Sequence, residues 1–326
     1  MFKITVIPGD GIGTEVIQSA VEILETLNTK FDFVYQDAGK DCYDKCGTNL
    51  PSDTIESCRI SDATLFGAVT SIPQQKSAIV TLRRELDLYV NQRPIRSYEN
   101  EDINFTIIRE NSEGLYANIE EDHGDECIAT RKITYNGCER IIKYAFEYAN
   151  KTNRKRVTAS HKANVLPVTD GIFKDTFYNI AEVYKNIESD DYYIDATAMY
   201  LITKPEYFDV IVTTNLFGDI LSDEAAGVVG SLGLLPSANI GDETGLFEPV
   251  HGSAPDIAGK NKANPIATIL SSALMLEYLG IKEEAELVNN AVEEVIKEGK
   301  VKTPDLGGNH NTNDITTAIL QKMWYP

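Results

Sequence analysis

The chain has 326 residues, and at roughly 150 residues per domain this is expected to form two domains. Lys and Arg number 30 against 50 Asp and Glu, a net charge of -20, which disfavours nucleic acid and anionic lipid and favours a small diffusible substrate. Hydrophobic residues at 42% and charged residues at 25% belong to a globular chain rather than a disordered or fibrous one.

Ile4 to Ile7 reads as a strand, followed by Pro8, a glycine turn and an amphipathic helix through Val16, Ile17, Ala20, Val21 and Leu24. No basic-then-apolar leader precedes it, so a cytoplasmic location is expected. A strand at Phe31 to Tyr35, a helix at Ser52 to Ile60 and a strand at Ala63 to Val69 continue a βαβ alternation. From Asn91 the texture changes. Strand-like segments at Phe105 to Ile108, Glu126 to Tyr135 and Tyr192 to Asp195 alternate with helices at Cys138 to Thr152 and Thr169 to Tyr184. A glycine-rich stretch follows Val228, then a loop and two helices, Pro265 to Leu279 and Lys282 to Gly299. These last helices need a sheet to cover, so residues 1–88 and 230–326 are expected to form one discontinuous α/β domain around an inserted domain, 89–229. The most apolar run, Ile266 to Leu279, is too short and too interrupted to span a bilayer. Cys42, Cys46, Cys58, Cys127 and Cys138 are odd in number and lack zinc spacing, which fits free thiols.

Several motifs carry possible chemistry. Gly9, Gly11 and Gly13 follow a strand and open a helix, but their spacing is GxGxG rather than the dinucleotide fingerprint, leaving a tight turn as the simpler reading. Asp219 and Asp223 lie four apart, on one face of a helix, and suit a hard divalent cation; a pair of acids near a helix N-terminus is the alternative. Asp195, after DYYI, is a candidate third oxygen ligand for Mg²⁺ or Mn²⁺. Arg83, Arg93 and Arg109 are candidate forks for a di- or tricarboxylate, against the alternative of ordinary salt bridges. Lys162 and Tyr116 can exchange protons if their surroundings shift them, although a lone Lys or Tyr is commonly structural; His161 reads as packed.

IPGDGIG, TLRRELDLYVNQRP, IIRENSEGLY, HKANVL, NLFGDILSDEAAG, FEPVHGSAPDIAGK and TPDLGG occur in one order over nearly the whole chain. Together they resemble the metal-dependent β-decarboxylating dehydrogenases of isocitrate and isopropylmalate. The resemblance implies a homodimer of two-domain α/β subunits, not a Rossmann fold, with the active site in the interdomain cleft and shared between subunits. It implies that Arg83, Arg93 and Arg109 hold substrate carboxylates and that Tyr116 donates a proton. Asp219 and Asp223 would bind metal, and Lys162 and Asp195 would reach into the neighbouring subunit's site. Ile12, His251, Gly252, Ser253, Ala254 and Asn264 would surround the adenine. Asp256 and Ile257 would favour NAD, because a carboxylate accepts hydrogen bonds from ribose hydroxyls and repels a 2′-phosphate.

Within that resemblance the reaction is oxidation of a (2R,3S)-3-substituted malate at C2, with Lys162 taking the hydroxyl proton through water or Asp195, followed by loss of CO₂ and protonation by Tyr116. Specificity is expected on the helix before Arg83. Ile79 and Val80 read as an apolar wall, favouring 3-isopropylmalate, its product 4-methyl-2-oxopentanoate and leucine biosynthesis. Ser77 is kept from the isocitrate pattern, and Lys76 could pair with a distal carboxylate, so homoisocitrate or isocitrate is the alternative substrate. A non-catalytic regulatory subunit is the reading of another class, opposed by the presence of Tyr116, Lys162, Asp195, Asp219 and Asp223.

Overall fold

A computed structural model describes residues 1–324 as two compact units, Met1–Leu88 together with the chain from Gly230 onward, and Tyr89–Val229. The first unit begins with β1 (Phe2–Gly9), α1 (Gly13–Glu25), β2 (Phe31–Tyr35), α2 (Lys40–Cys46), α3 (Ser52–Ile60), β3 (Ala63–Ala68) and α4 (Ala78–Glu85). β1 runs parallel to both β2 and β3. The second unit holds β4 (Val90–Arg96), β5 (Asn104–Glu110), the small hairpin β6 (Glu120–Asp122) and β7 (Cys127–Ala129), α5 (Tyr135–Lys151), β8 (Arg156–His161), α6 (Thr169–Ala181), β9 (Glu188–Tyr193), α7 (Ile194–Thr203), β10 (Val210–Thr213) and α8 (Asn215–Val229). The first unit resumes with β11 (Pro236–Ile240), β12 (Gly245–Pro249), α9 (Ile266–Tyr278), α10 (Lys282–Glu298) and α11 (Thr312–Trp324).

Strand order in the first unit is β2-β1-β3-β12-β11, with only β11 antiparallel to its neighbour β12. In the second unit it is β4-β5-β10-β8-β9, with β4 antiparallel and the rest parallel. Neither order is that of the dinucleotide-binding doubly wound sheet.

Every residue of β3 is buried, and Ile7, Phe66, Ala78, Leu82 and Leu246 share one core cluster, so α4 is anchored by the side chains next to Arg83. Helix α9 is apolar nearly all round because it lies between the strands β11 and β12 and the helices α1 and α10. Among the described residues no helix is long and apolar enough to cross a membrane.

Three sequence expectations change. The glycine-rich stretch after Val228 contains the buried hairpin β11 and β12, whose alternation is obscured by Pro, Gly and Asn. Glu126 to Tyr135 is strand only at Cys127–Ala129, and Tyr135 already opens α5. The segment ending in Asp195 is strand only to Tyr193; Asp195 sits in the first turn of α7. The strand itself, β9, is an edge strand of polar residues and starts four residues earlier than its aromatic pair.

Candidate active site

In the second unit the C-terminal ends of parallel strands gather the polar residues, the usual place for ligands in open α/β sheets. Arg109 lies near the end of β5, and its register partner Thr213 closes β10 just before α8. Arg93 lies on β4, which pairs antiparallel with β5. Both arginine side chains are buried, at 5% and 1% exposure, so their charges require anionic company.

That company is Asp219 on α8. Arg109 Nη1 and the Tyr116 hydroxyl donate to its two carboxylate oxygens, and Arg93 Nη1 stands 3.5 Å from Oδ1. Asn215 Oδ1 accepts from Arg109 Nε at 3.2 Å and Nη2 at 2.8 Å, and the Tyr116 ring lies 5.0 Å from the same guanidinium. Arg93 Nη1 also donates to Ser222 Oγ. Gly218 permits this closeness: a Cβ there would stand 2.7 Å from Arg109 Cβ and Cγ.

Burial first, then the Asp219 hydrogen bond, raises the Tyr116 phenol above its ordinary value, so it is held as an acid. Asp223, one turn beyond Asp219, is raised mainly by burial, with Asp219 adding repulsion and Arg93 and Arg109 opposing it. Two neighbouring carboxylates, one of them half-buried and reluctant to ionise, are a hard-oxygen donor pair that a divalent cation would relieve.

Lys162 follows β8 and forms an ion pair with Asp195. Hydrogen bonding to that ammonium holds the exposed Asp195 carboxyl below the usual range. Among the described residues of this one chain, no group of three or more His, Cys, Asp or Glu is arranged to hold a metal. Asp195 is occupied with Lys162 rather than grouped with Asp219 and Asp223.

In the first unit, Arg83 Nη2 donates to Glu248 Oε1 at 2.7 Å, and Glu248 also accepts from Asn239 at 2.8 Å. Arg83 Nε is buried without a hydrogen-bond partner, a donor free for an anion. A separate cavity of about 240 Å³ in this unit is lined by Ile12, His251, Ile257 and Asn264, together with Ser231 and Asp305. His251 Nδ1 donates to the Gly252 carbonyl at 2.9 Å, which leaves Nε2 as a buried, unpartnered acceptor on a residue that lines the cavity. Burial lowers its pKa and keeps the ring neutral. An aromatic ring with an exocyclic amino group, such as adenine, suits this wall.

Gly252, Ser253, Ala254 and Asp256 shape the loop rather than line that cavity. The Ser253 carbonyl accepts from Ile12 N at 2.8 Å, and its hydroxyl bonds Thr70 at 2.8 Å. A Cβ at Gly11 would collide with the Ser253 carbonyl, so this glycine serves close approach of the turn to the loop. Ser77 caps α4 by position only, without a side-chain cap bond. With Ile79 it lines a second cavity of about 120 Å³; Ile79 also leans on the core cluster, and Val80 is half-buried.

Asp305 and Ser231 were not singled out from sequence. Asp305 accepts from Ser231 Oγ at 2.7 Å and Asn264 Nδ2 at 3.0 Å, and only the motif TPDLGG could have pointed to it.

Buried guanidinium forks, a protonated phenol and a pair of carboxylates on α8 form a site suited to a small anionic substrate on an α/β scaffold. The chain matches the family described as isocitrate/isopropylmalate dehydrogenase over residues 3–319, and it belongs to that family. It is 53% identical to a 3-isopropylmalate/3-methylmalate dehydrogenase of Methanocaldococcus jannaschii, with 99% of each chain covered. A homoisocitrate dehydrogenase of the same organism is 52% identical, over 98% of this chain and 97% of that protein. An isocitrate dehydrogenase structure from Methylococcus capsulatus superposes with a TM-score of 0.95 at 44% identity, covering 99% of both chains.

Proposed function

We propose that the chain catalyses NAD-dependent oxidative decarboxylation of 3-isopropylmalate to 4-methyl-2-oxopentanoate, a step of leucine biosynthesis in the cytoplasm. The observation that carries this reading is the cluster of buried Arg93 and Arg109 with half-buried Tyr116 and Asp219, in a chain of the isocitrate/isopropylmalate dehydrogenase family. When bound, a divalent cation supplies positive charge that acidifies the substrate's C2 hydroxyl, and NAD supplies the hydride acceptor.

The residues of the chain do the rest. Arg83, Arg93 and Arg109 bind the substrate carboxylates. Asp219 and Asp223, with Asp195 of a second subunit, would hold Mg²⁺ or Mn²⁺. Lys162 removes the hydroxyl proton, directly or through water or Asp195, and Tyr116 returns a proton to the carbon that has lost CO₂. His251, Asn264, Ile12 and Ile257 bind the adenine, and the exposed Asp256 carboxylate favours NAD over NADP.

A homodimer with shared sites is part of the proposal. Exposed Met199 and Ile202 on α7 and Ile220 on α8 supply apolar surface on packed helices for the subunit contact.

Homoisocitrate is the second reading, favoured by the exposed Lys76 and the uncapped Ser77. Burying an isopropyl group on Ile79 and Val80 gains roughly 2 kcal/mol, whereas a carboxylate there loses hydration, so the apolar substrate is preferred. NADH formation by the purified chain with 3-isopropylmalate, NAD and Mg²⁺ tests the proposal. Loss of the rate on chelation and weak activity with NADP are expected; equal activity without metal, or a preference for NADP, would overturn it.

A further inference from the structure

Lys162 is the first residue beyond β8, and two buried side chains grip the backbone from which it springs. Asp170 Oδ2, in the first turn of α6, accepts the Lys162 N–H at 2.6 Å. His161 Nδ1 accepts the next N–H, that of Ala163, at 3.1 Å. Because Nδ1 accepts, the ring proton sits on Nε2, which donates to Asp191 Oδ2 at 3.1 Å. The Lys162 carbonyl in turn accepts from Val165 N and Leu166 N, both at 2.9 Å. A long, flexible side chain therefore starts from a fixed root.

A backbone cap alone does not call for a buried charge. Asn or Ser would accept the same N–H without the desolvation cost of a fully buried carboxylate. Asp170 is 0% exposed, and its second oxygen receives the Arg131 guanidinium. Arg131 goes further: Nη1 donates to Thr169 Oγ1 at 3.0 Å, Nη2 to Thr214 Oγ1 at 3.1 Å, and the group lies 5.4 Å from the Phe217 ring centroid. Thr214 immediately precedes α8 and Phe217 is on it, so the ion pair ties the root of Lys162 to the helix that carries Asp219 and Asp223.

We infer that Asp170, held by Arg131, is the positioning residue of Lys162 and sets where its ammonium lands relative to the carboxylates of α8 in the assembled enzyme. The inference rests on the proposal that Lys162 is the proton-transfer group. A small rotation at the root is multiplied along the four-carbon side chain, so misplacement costs turnover rather than binding.

A double-mutant cycle separates positioning from bulk stability. Asp170→Asn keeps an acceptor for the Lys162 N–H but leaves Arg131 without its counter-charge. Arg131→Lys keeps the charge and loses the fork to Thr169 and Thr214, and it serves if the first variant does not fold. Each is expected to lower kcat by up to about a hundred-fold, with the KM for the hydroxy acid and the Kd for NADH unchanged. On a Lys162→Ala background the same substitutions should cost the residual rate nothing. An equal loss on that background, or a raised KM at unchanged kcat, overturns the inference and leaves the proposed function standing. Wild-type turnover by Lys162→Ala would instead remove the proton-transfer role proposed for Lys162, and this inference with it, while the proposed reaction stands.

Discussion

Tyr116 donates to Asp219 beneath the Arg109 guanidinium, and its phenol is raised above 10.0 chiefly by burial. Such a group is an acid at neutral pH, not a base, which suits protonation of a carbon after CO₂ has left. Tyr116→Phe is expected to slow protonation of the decarboxylated carbon by about 10²- to 10⁴-fold while hydride transfer continues, so that NADH forms well ahead of 4-methyl-2-oxopentanoate in single-turnover quench experiments. Parallel loss of both steps would point to a binding role. His251 is the pH-sensitive residue of the cavity proposed to take the nucleotide. Burial lowers its folded pKa below 6.5, so the unfolded chain takes up the proton first as pH falls. The stability this ring contributes is complete above 6.5 and is lost as pH falls through the lower folded value. NADH affinity, measured by fluorescence titration, should fall over the same acid window because protonation removes the Nε2 acceptor, and His251→Gln should flatten that fall.

At the scale of elements, α5 shows how a sequence signal becomes a stable start. Thr134 is its N-cap: the hydroxyl accepts from Gly137 N at 3.0 Å while donating to Glu113, whose other oxygen accepts from Thr134 N at 2.8 Å. Thr134→Ala should cost about 1 kcal/mol or somewhat more in urea unfolding, and Thr134→Ser should recover most of it. Elements with a strong apolar signal are legible in the sequence: β1 and α9 as apolar runs, and α1 and α10 as one-sided stripes. The hairpin β11 and β12 is not, because its strands are buried on both faces and interrupted by Pro and Gly. β9 was misread for the opposite reason, being an edge strand of acids whose pairing with β8 leaves little hydrophobic trace. The candidate site was partly legible for a physical reason. Asp219 and Asp223 announce themselves at i and i+4, whereas Asp170, Arg131 and Asp305 act through contacts across 39 and 41 residues that no local period encodes.

At the scale of the molecule, membership of the family fixes a two-unit α/β architecture, and sharing of sites between subunits follows only if the chain is a dimer. Refolding a mixture of Lys162→Ala and Tyr116→Phe chains tests this. If Lys162 serves its neighbour, a mixed dimer holds one site with both groups intact, and activity should rise well above either variant alone. If both groups act within one chain, mixing restores nothing. With a net charge of -20 the chain repels like-charged molecules, and the buried arginines are the cations that the proposed dianionic substrate would meet. The central claim is the identity of that substrate. Its most direct test is kcat/KM for 3-isopropylmalate, 3-methylmalate, isocitrate and homoisocitrate under identical NAD and Mg²⁺ conditions. The highest value is expected for 3-isopropylmalate, with Ile79 and Val80 as the apolar wall; a higher value for either tricarboxylate would contradict the account and make Lys76 and Ser77 the readers of the substrate.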